Sequence, residues 1–314
     1  MLEKINETIE FLKGKGFHAP NAGIILGTGL GGLTAKIENY TEIDYRDIPN
    51  FPVPTVVGHE GKLIYGDFGK KKIVAMKGRF HFYEGYGAEE ITFPVRVMKY
   101  LGIQCLFLSN AAGGVNPEYK IGDIMIISDH ISLLPNPLIG PNDERIGPRF
   151  PDMGEAYDKY LVKKALLIAE SQKIRIHKGV YLSTSGPTFE TPSEYKYFRI
   201  LGADAVGMST TPEVIIARHM GLPCFAVSII TDLGVEGKIE YTTHESVQKE
   251  AAKTEARMTA IMTELISTLK LISEFGIPHS EFRNPQSVIY LITEQIFFHF
   301  KVFPLSSKTV MRKI

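Results

Sequence analysis

The chain has 314 residues, enough for one large domain or two small ones. Hydrophobic residues make up 44% and charged residues 22%, the balance of an ordinary soluble globular protein. Its 35 basic residues match its 35 acidic ones, so the positive excess that a nucleic-acid or membrane-surface partner demands is missing, and neither partner is expected. Cys105 and Cys224 each lie in an apolar run and read as buried free thiols, which points to a reducing, cytoplasmic setting. The first residues, MLEKINETIEF, carry acidic groups and no long apolar core, so no signal peptide is expected. No uncharged apolar run is long enough to predict a membrane span.

Leu2, Ile5, Ile9, Phe11 and Leu12 recur at near-helical spacing up to Gly14, which predicts a first helix. Gly23–Leu26 predicts a short buried strand running into Gly27-Thr28-Gly29-Leu30-Gly31-Gly32. That loop spells G-x-G-x-x-G, but a dinucleotide site also needs a helix, a second apolar strand and a well-placed acid. Leu33 to Ile37 and the polar run to Asp47 supply no clean apolar strand, so a nicotinamide site is not expected. The loop reads either as a phosphate cradle, with Thr28 adding a hydroxyl, or as a glycine turn kept for packing.

After Gly58-His59, the runs Lys62–Gly66 and Lys72–Lys77 predict a hairpin around Asp67-Phe68-Gly69. Its second strand delivers Arg79, His81 and Tyr83. In an extended segment these share a face, with Phe80 and Phe82 packed behind. A guanidinium, an imidazole and a phenol suit a phosphate and a sugar hydroxyl, and they equally suit a solvent-facing edge. Glu89–Leu101 predicts a helix, and Cys105–Ser109 a buried strand that stops at Asn110-Ala111-Ala112-Gly113-Gly114. Small residues at such a strand end let a ligand touch the backbone, or let a turn pack closely. Ile121–Ile131 predicts another strand, and Leu134–Pro151, rich in Pro and Gly, a long loop of the kind that often carries function. Asp158–Gln172 predicts an amphipathic helix.

Gly179–Leu182 predicts a strand leading to Phe189-Glu190-Thr191-Pro192 and a helix capped at Thr191 with Glu194 in its first turn. Phe189 can stack on a flat ring and Glu190 can accept its N–H groups, or Glu190 is simply an acid favoured near a helix start. Ala203–Ser209 then runs into a helix whose spelling, Thr210 with Glu213 three residues on, predicts a capping box. Strand, tight turn and helix start together form a natural anion site, or an ordinary connection in an α/β domain. Pro223–Ile230 predicts a strand ending at Thr231-Asp232, where a carboxylate serves as base, ligand or cap. Thr243-His244-Glu245 starts a long helix reaching about Lys270, with His244 on the surface by local pattern alone. No metal-ligand spacing is present, since the histidines are scattered and no cysteine pair is close.

Taken together and in this order, Gly27-Thr28-Gly29, Gly58-His59, the run from Gly78 to Tyr86, Asn110–Gly114, Gly186–Thr191 and Val206–Thr210 closely resemble the trimeric purine nucleoside phosphorylases. The resemblance covers about Gly23 to Thr268. It implies an α/β single domain, residues 1–276, with a mixed, partly barrel-like β-sheet flanked by helices. It also implies a homotrimer and reversible phosphorolysis of purine nucleosides with inorganic phosphate as co-substrate and no cofactor. By resemblance, Thr28, His59, Arg79, His81, Ala111 and Ser209 would hold phosphate. Tyr83 and Met208 would bracket the ribose, and His244 would meet its 5′-hydroxyl. Phe150 would reach into a neighbouring subunit's site. Phe189, Glu190, Val206, Gly207 and Asp232 would hold the purine, with His81, Glu190 and Asp232 as the catalytic set.

Asp232 departs from the family pattern, in which enzymes for 6-oxopurines carry Asn. An ionised Asp only accepts hydrogen bonds, which suits a 6-amino group; a protonated one can donate to N7. Inosine and guanosine are the expected substrates, with adenosine or methylthioadenosine as alternatives, and a non-catalytic nucleoside binder as the rival of another class. The resemblance stops at residues 277–314, a C-terminal extension that reads as an added packing element, a tail or a non-native addition.

Overall fold

The computed structural model of the chain describes residues 1–27, 31–53, 55 and 60–269. The expected boundary at residue 276 and the extension beyond it lie outside these residues, as do Thr28 and His59. Helix α1 spans Leu2–Gly14 and is followed by strand β1, Ala22–Leu26. Strand β1 is paired at both edges and its side chains lie in the hydrophobic core, which explains its unbroken apolar spelling. A 3-10 helix, Gly31–Lys36, then leads to β2, Glu38–Asp44, where no strand was expected. Among the described residues strand β2 pairs only with β3, Lys62–Phe68, and most of its side chains are exposed, so its polar spelling is that of a sheet edge. Strands β3 and β4, Lys71–Lys77, form the expected hairpin.

Helix α2 covers Ala88–Leu101. Strand β5, Leu106–Gly114, runs further than expected, because Asn110–Gly114 keep pairing with two other strands instead of turning away. Then come β6, Ile124–Ser132; α3, Lys159–Ser171; β7, Ile176–Ser183; α4, Pro192–Ile200; β8, Ala205–Gly207; α5, Thr211–His219; β9, Cys224–Leu233; and α6, His244–Ser267. The α4 start is as its spelling predicts: the Thr191 hydroxyl accepts from Glu194 N at 3.2 Å and the Glu194 carboxylate accepts from Thr191 N at 2.7 Å.

The strands join in the order β2-β3-β4-β1-β5-β8-β7-β6-β9, and β9 pairs back onto β5. That last pairing closes β5, β8, β7, β6 and β9 into a ring, with β1 to β4 extending from it as a sheet. Pairings β1–β4, β1–β5, β5–β9, β6–β7 and β7–β8 are parallel and the others antiparallel, so the sheet is mixed. Helix α6 lies on β9 and against α3, while α2 packs on α1 and α5. Cys105 and Cys224 are buried and free. Among the described residues no helix is long and apolar enough to cross a membrane.

Candidate active site

The ends of β1, β5, β8 and β9 and the segments that follow β4 and β7 open into one cavity of about 290 Å³. Its lining includes Gly27 after β1, Arg79, His81 and Tyr83 after β4, and Asn110, Ala111 and Gly113 in β5. Phe189 and Glu190 come from the segment after β7; Val206, Gly207, Met208 and Ser209 from the β8 end; Thr231 and Asp232 from β9; and His244 from α6. Strand termini at one end of a sheet are where backbone groups and side chains converge without obstructing the strand pairing. At Gly27 a Cβ would stand 2.7 Å from Ser109 O, so only glycine permits β1 and β5 to approach this closely.

One end of the cavity gathers groups that suit an anion. Arg79 is buried, and its Nη1 donates to Ser109 O at 2.8 Å and to Ser209 Oγ at 3.2 Å, while its Nε donates to Glu213 Oε1 at 3.1 Å. His81 follows. The backbone does not stay extended through Tyr83, as the alternating pattern predicts, but turns into a 3-10 helix at Phe82–Glu84. That turn lets Tyr83 stack on His81, with ring centroids 4.7 Å apart and planes 13° from parallel. Glu84 accepts from His81 N at 2.9 Å and sits 3.0 Å from its Nδ1. Burial lowers the His81 pKa and outweighs the pull of Glu84, so the imidazole is held toward its neutral form. Burial alone would raise Glu84, but hydrogen bonds from His81 and Thr55 overcome it and hold the carboxyl at about 2.

The capping box expected between Thr210 and Glu213 is absent. Thr210 has φ 71° and ψ −50° and makes no side-chain cap. Its hydroxyl instead accepts from Asn110 Nδ2 at 2.9 Å, and Glu213 is turned to Arg79. A β-branched residue with positive φ is strained, and here the strain sits in the turn that presents Ser209 to the cavity.

The other end carries two carboxyls. Burial raises the Asp232 pKa, against hydrogen bonds from Thr231 and Tyr195; the Thr231 hydroxyl donates to Asp232 Oδ1 at 3.0 Å. Burial also raises Glu190, and the neighbouring Asp232 charge adds to it. Thr184 Oγ1 donates to Glu190 Oε1 at 3.4 Å. At Gly113 a Cβ would stand 2.8 Å from Asp232 Oδ2, and the β5–β9 register slips between Ala112 and Gly113, so a bulge aims Asp232 inward. His244 lines the wall opposite its expected surface role and lies 3.0 Å, Nε2 to Nε2, from Gln248.

Of the residues expected at the site, all the described ones meet in this cavity except Phe150, which is 89% exposed and lies outside this chain's own lining. Glu213 and Tyr195 were missed. Glu213 was spelled as a helix cap, and Tyr195, a buried aromatic on α4 whose hydroxyl lowers the pKa of both carboxyls against their burial, carries no signal beyond apolar periodicity.

A sequence profile of the phosphorylase superfamily matches residues 21–267. Purine nucleoside phosphorylase 1 of Geobacillus stearothermophilus is 47% identical over 266 residues, which cover 84% of this chain and 97% of that protein. Isoform 2 of purine nucleoside phosphorylase from Schistosoma mansoni, solved with cytosine and ribose-1-phosphate, superposes with a TM-score of 0.82 at 44% identity, covering 86% of this chain and 97% of the other. Schistosoma mansoni purine nucleoside phosphorylase in complex with adenosine gives a TM-score of 0.81 at 42% identity, covering 85% and 98%. The chain belongs to the purine nucleoside phosphorylase family of the phosphorylase superfamily.

Proposed function

We propose that this chain catalyses the reversible phosphorolysis of purine nucleosides, converting nucleoside and inorganic phosphate to free base and (deoxy)ribose 1-phosphate. The observation that carries the proposal is a single cavity with an anion grip at one end, Arg79 with Ser209, and a carboxyl pair at the other, Glu190 with Asp232. A nucleoside lying between them would place its glycosidic carbon beside the bound phosphate.

The reaction then needs no side-chain nucleophile. Cleavage of the glycosidic bond develops positive charge on the sugar, as in glycoside hydrolysis. A phosphate dianion held by Arg79, Ser209, His81, the backbone at Ala111 and, in the same proposal, Thr28 and His59 stabilises that charge and attacks the anomeric carbon. This is catalysis by positioning and preorganised electrostatics. Tyr83, Met208 and His244 would hold the ribose. Phe189, Val206 and Gly207 would flank the base, with Glu190 accepting from the ring N–H. Asp232, its carboxyl raised by burial, would relieve the charge that gathers on the departing purine by donating to N7. Phe150, exposed and outside its own cavity's lining, suits a homotrimer in which it completes a neighbour's site. No cofactor enters this chemistry, and the free buried cysteines suit a cytoplasmic enzyme.

Inosine and guanosine are the proposed substrates. Asp232 favours a second reading, since an ionised carboxylate accepts from a 6-amino group, and the schistosome relative has been solved with adenosine. Rates on inosine, guanosine, adenosine and methylthioadenosine with phosphate separate these readings. Activity on methylthioadenosine alone would contradict the proposal.

A further inference from the structure

Arg79 is the cation that the proposed reaction sets against phosphate, and the following inference rests on that reading. The guanidinium is 1% exposed and paired with a carboxylate that is 3% exposed, that of Glu213 on the first turn of α5. Each of the two rigid elements contributes to the pose. Ser109 O on β5 takes Nη1 at 2.8 Å, and Glu213 Oε1 takes Nε at 3.1 Å. Ser209, which lines the cavity, shares Nη1 through its Oγ at 3.2 Å. Glu213 is free to do this because Thr210, with its positive φ, does not engage it as a cap. A buried arginine left to rotate would lose the alignment on which bidentate anion binding depends. A buried carboxylate beside it also subtracts from the field that an incoming anion meets.

We infer that Glu213 is a positioning residue that sets the affinity for phosphate: it fixes the Arg79 guanidinium through Nε and offsets part of its charge, so that phosphate is aligned without being trapped. Two substitutions separate the two effects. Glu213→Gln keeps an acceptor for Nε and removes the charge. Glu213→Ala removes both.

The test is steady-state kinetics with inorganic phosphate as the varied substrate at saturating nucleoside, together with thermal unfolding with and without inorganic phosphate. For Glu213→Gln the KM for phosphate falls about fivefold, and phosphate raises Tm by more than it does in the unaltered protein. For Glu213→Ala the KM for phosphate rises about tenfold. In both, the nucleoside KM stays within about twofold, since no contact to the sugar or base is touched. If Glu213→Ala does not fold, Glu213→Asp takes its place: it keeps the charge, retracts the acceptor and raises the phosphate KM. A phosphate KM that is unchanged in Glu213→Gln, or that rises there as in Glu213→Ala, overturns the inference. Failure of the unaltered protein to release base with phosphate would instead overturn the proposed reaction.

Discussion

In the proposed reaction, Asp232 is the residue whose chemistry would decide which purine this cavity accepts. An amide at that position both donates and accepts, whereas a carboxyl does one or the other according to its proton. Asp232→Asn is therefore expected to shift the kcat/KM ratio of inosine to adenosine toward inosine by about tenfold or more. An unchanged ratio would mean that Asp232 does not face the 6-position. Glu84 offers a test by pH. Its carboxyl is held at about 2, below its ordinary value of 4.5, so the stability it contributes is complete above the ordinary value and is lost as pH falls toward the lower one. The Tm gap between the unaltered protein and Glu84→Gln should be widest near neutrality and narrow as pH drops below about 4.5. A gap that is flat across this range would contradict the His81–Glu84 linkage. Asp232 acts with the opposite sign: its raised pKa favours the folded state at low pH, and that contribution is lost as pH rises through the folded value.

At the scale of elements, the junction between β8 and α5 carries both the success and the failure of reading by pattern. The strand, the turn and the helix were legible there from the apolar run and the helix-start spelling. The pairing of Thr210 with Glu213 was not, because the same spelling serves a capping box and a buried partner for Arg79, and only tertiary placement separates them. Strand β2 was illegible for a related reason: an edge strand has one pairing neighbour and little burial, so it keeps no apolar alternation. The strand is expected to stop at Asn110–Gly114 because small residues suit a strand end, whereas pairing with β8 and β9 carries it on to Gly114. The strained backbone at Thr210 gives a direct test. Thr210→Gly and Thr210→Ala both lose the hydroxyl that accepts from Asn110, but only glycine tolerates φ 71° freely. Thr210→Gly should be more stable than Thr210→Ala by about 1 kcal/mol in denaturant unfolding. The reverse order would show that the positive φ is not strained.

At the scale of the molecule, the closed ring of β5, β8, β7, β6 and β9 explains how residues from Gly27 to His244 reach one cavity. No single segment carries the site, which is why each motif reads ambiguously alone and only their order is informative. Among the described residues, the exposed Phe150 is the one expected site residue outside this chain's own cavity lining. If it completes a neighbour's site, Phe150→Ala and Glu190→Gln should each be nearly inactive alone. Co-refolded mixtures should then recover activity, because hybrid sites combine an intact Phe150 with an intact Glu190. Mixtures no more active than their components would contradict shared sites. The central claim is tested most directly by incubating the purified chain with inosine and, separately, adenosine, with and without inorganic phosphate, and quantifying base and sugar phosphate. Release of free base with an equal amount of ribose 1-phosphate, only when phosphate is present, is the predicted result; no release, or release that does not depend on phosphate, would contradict it.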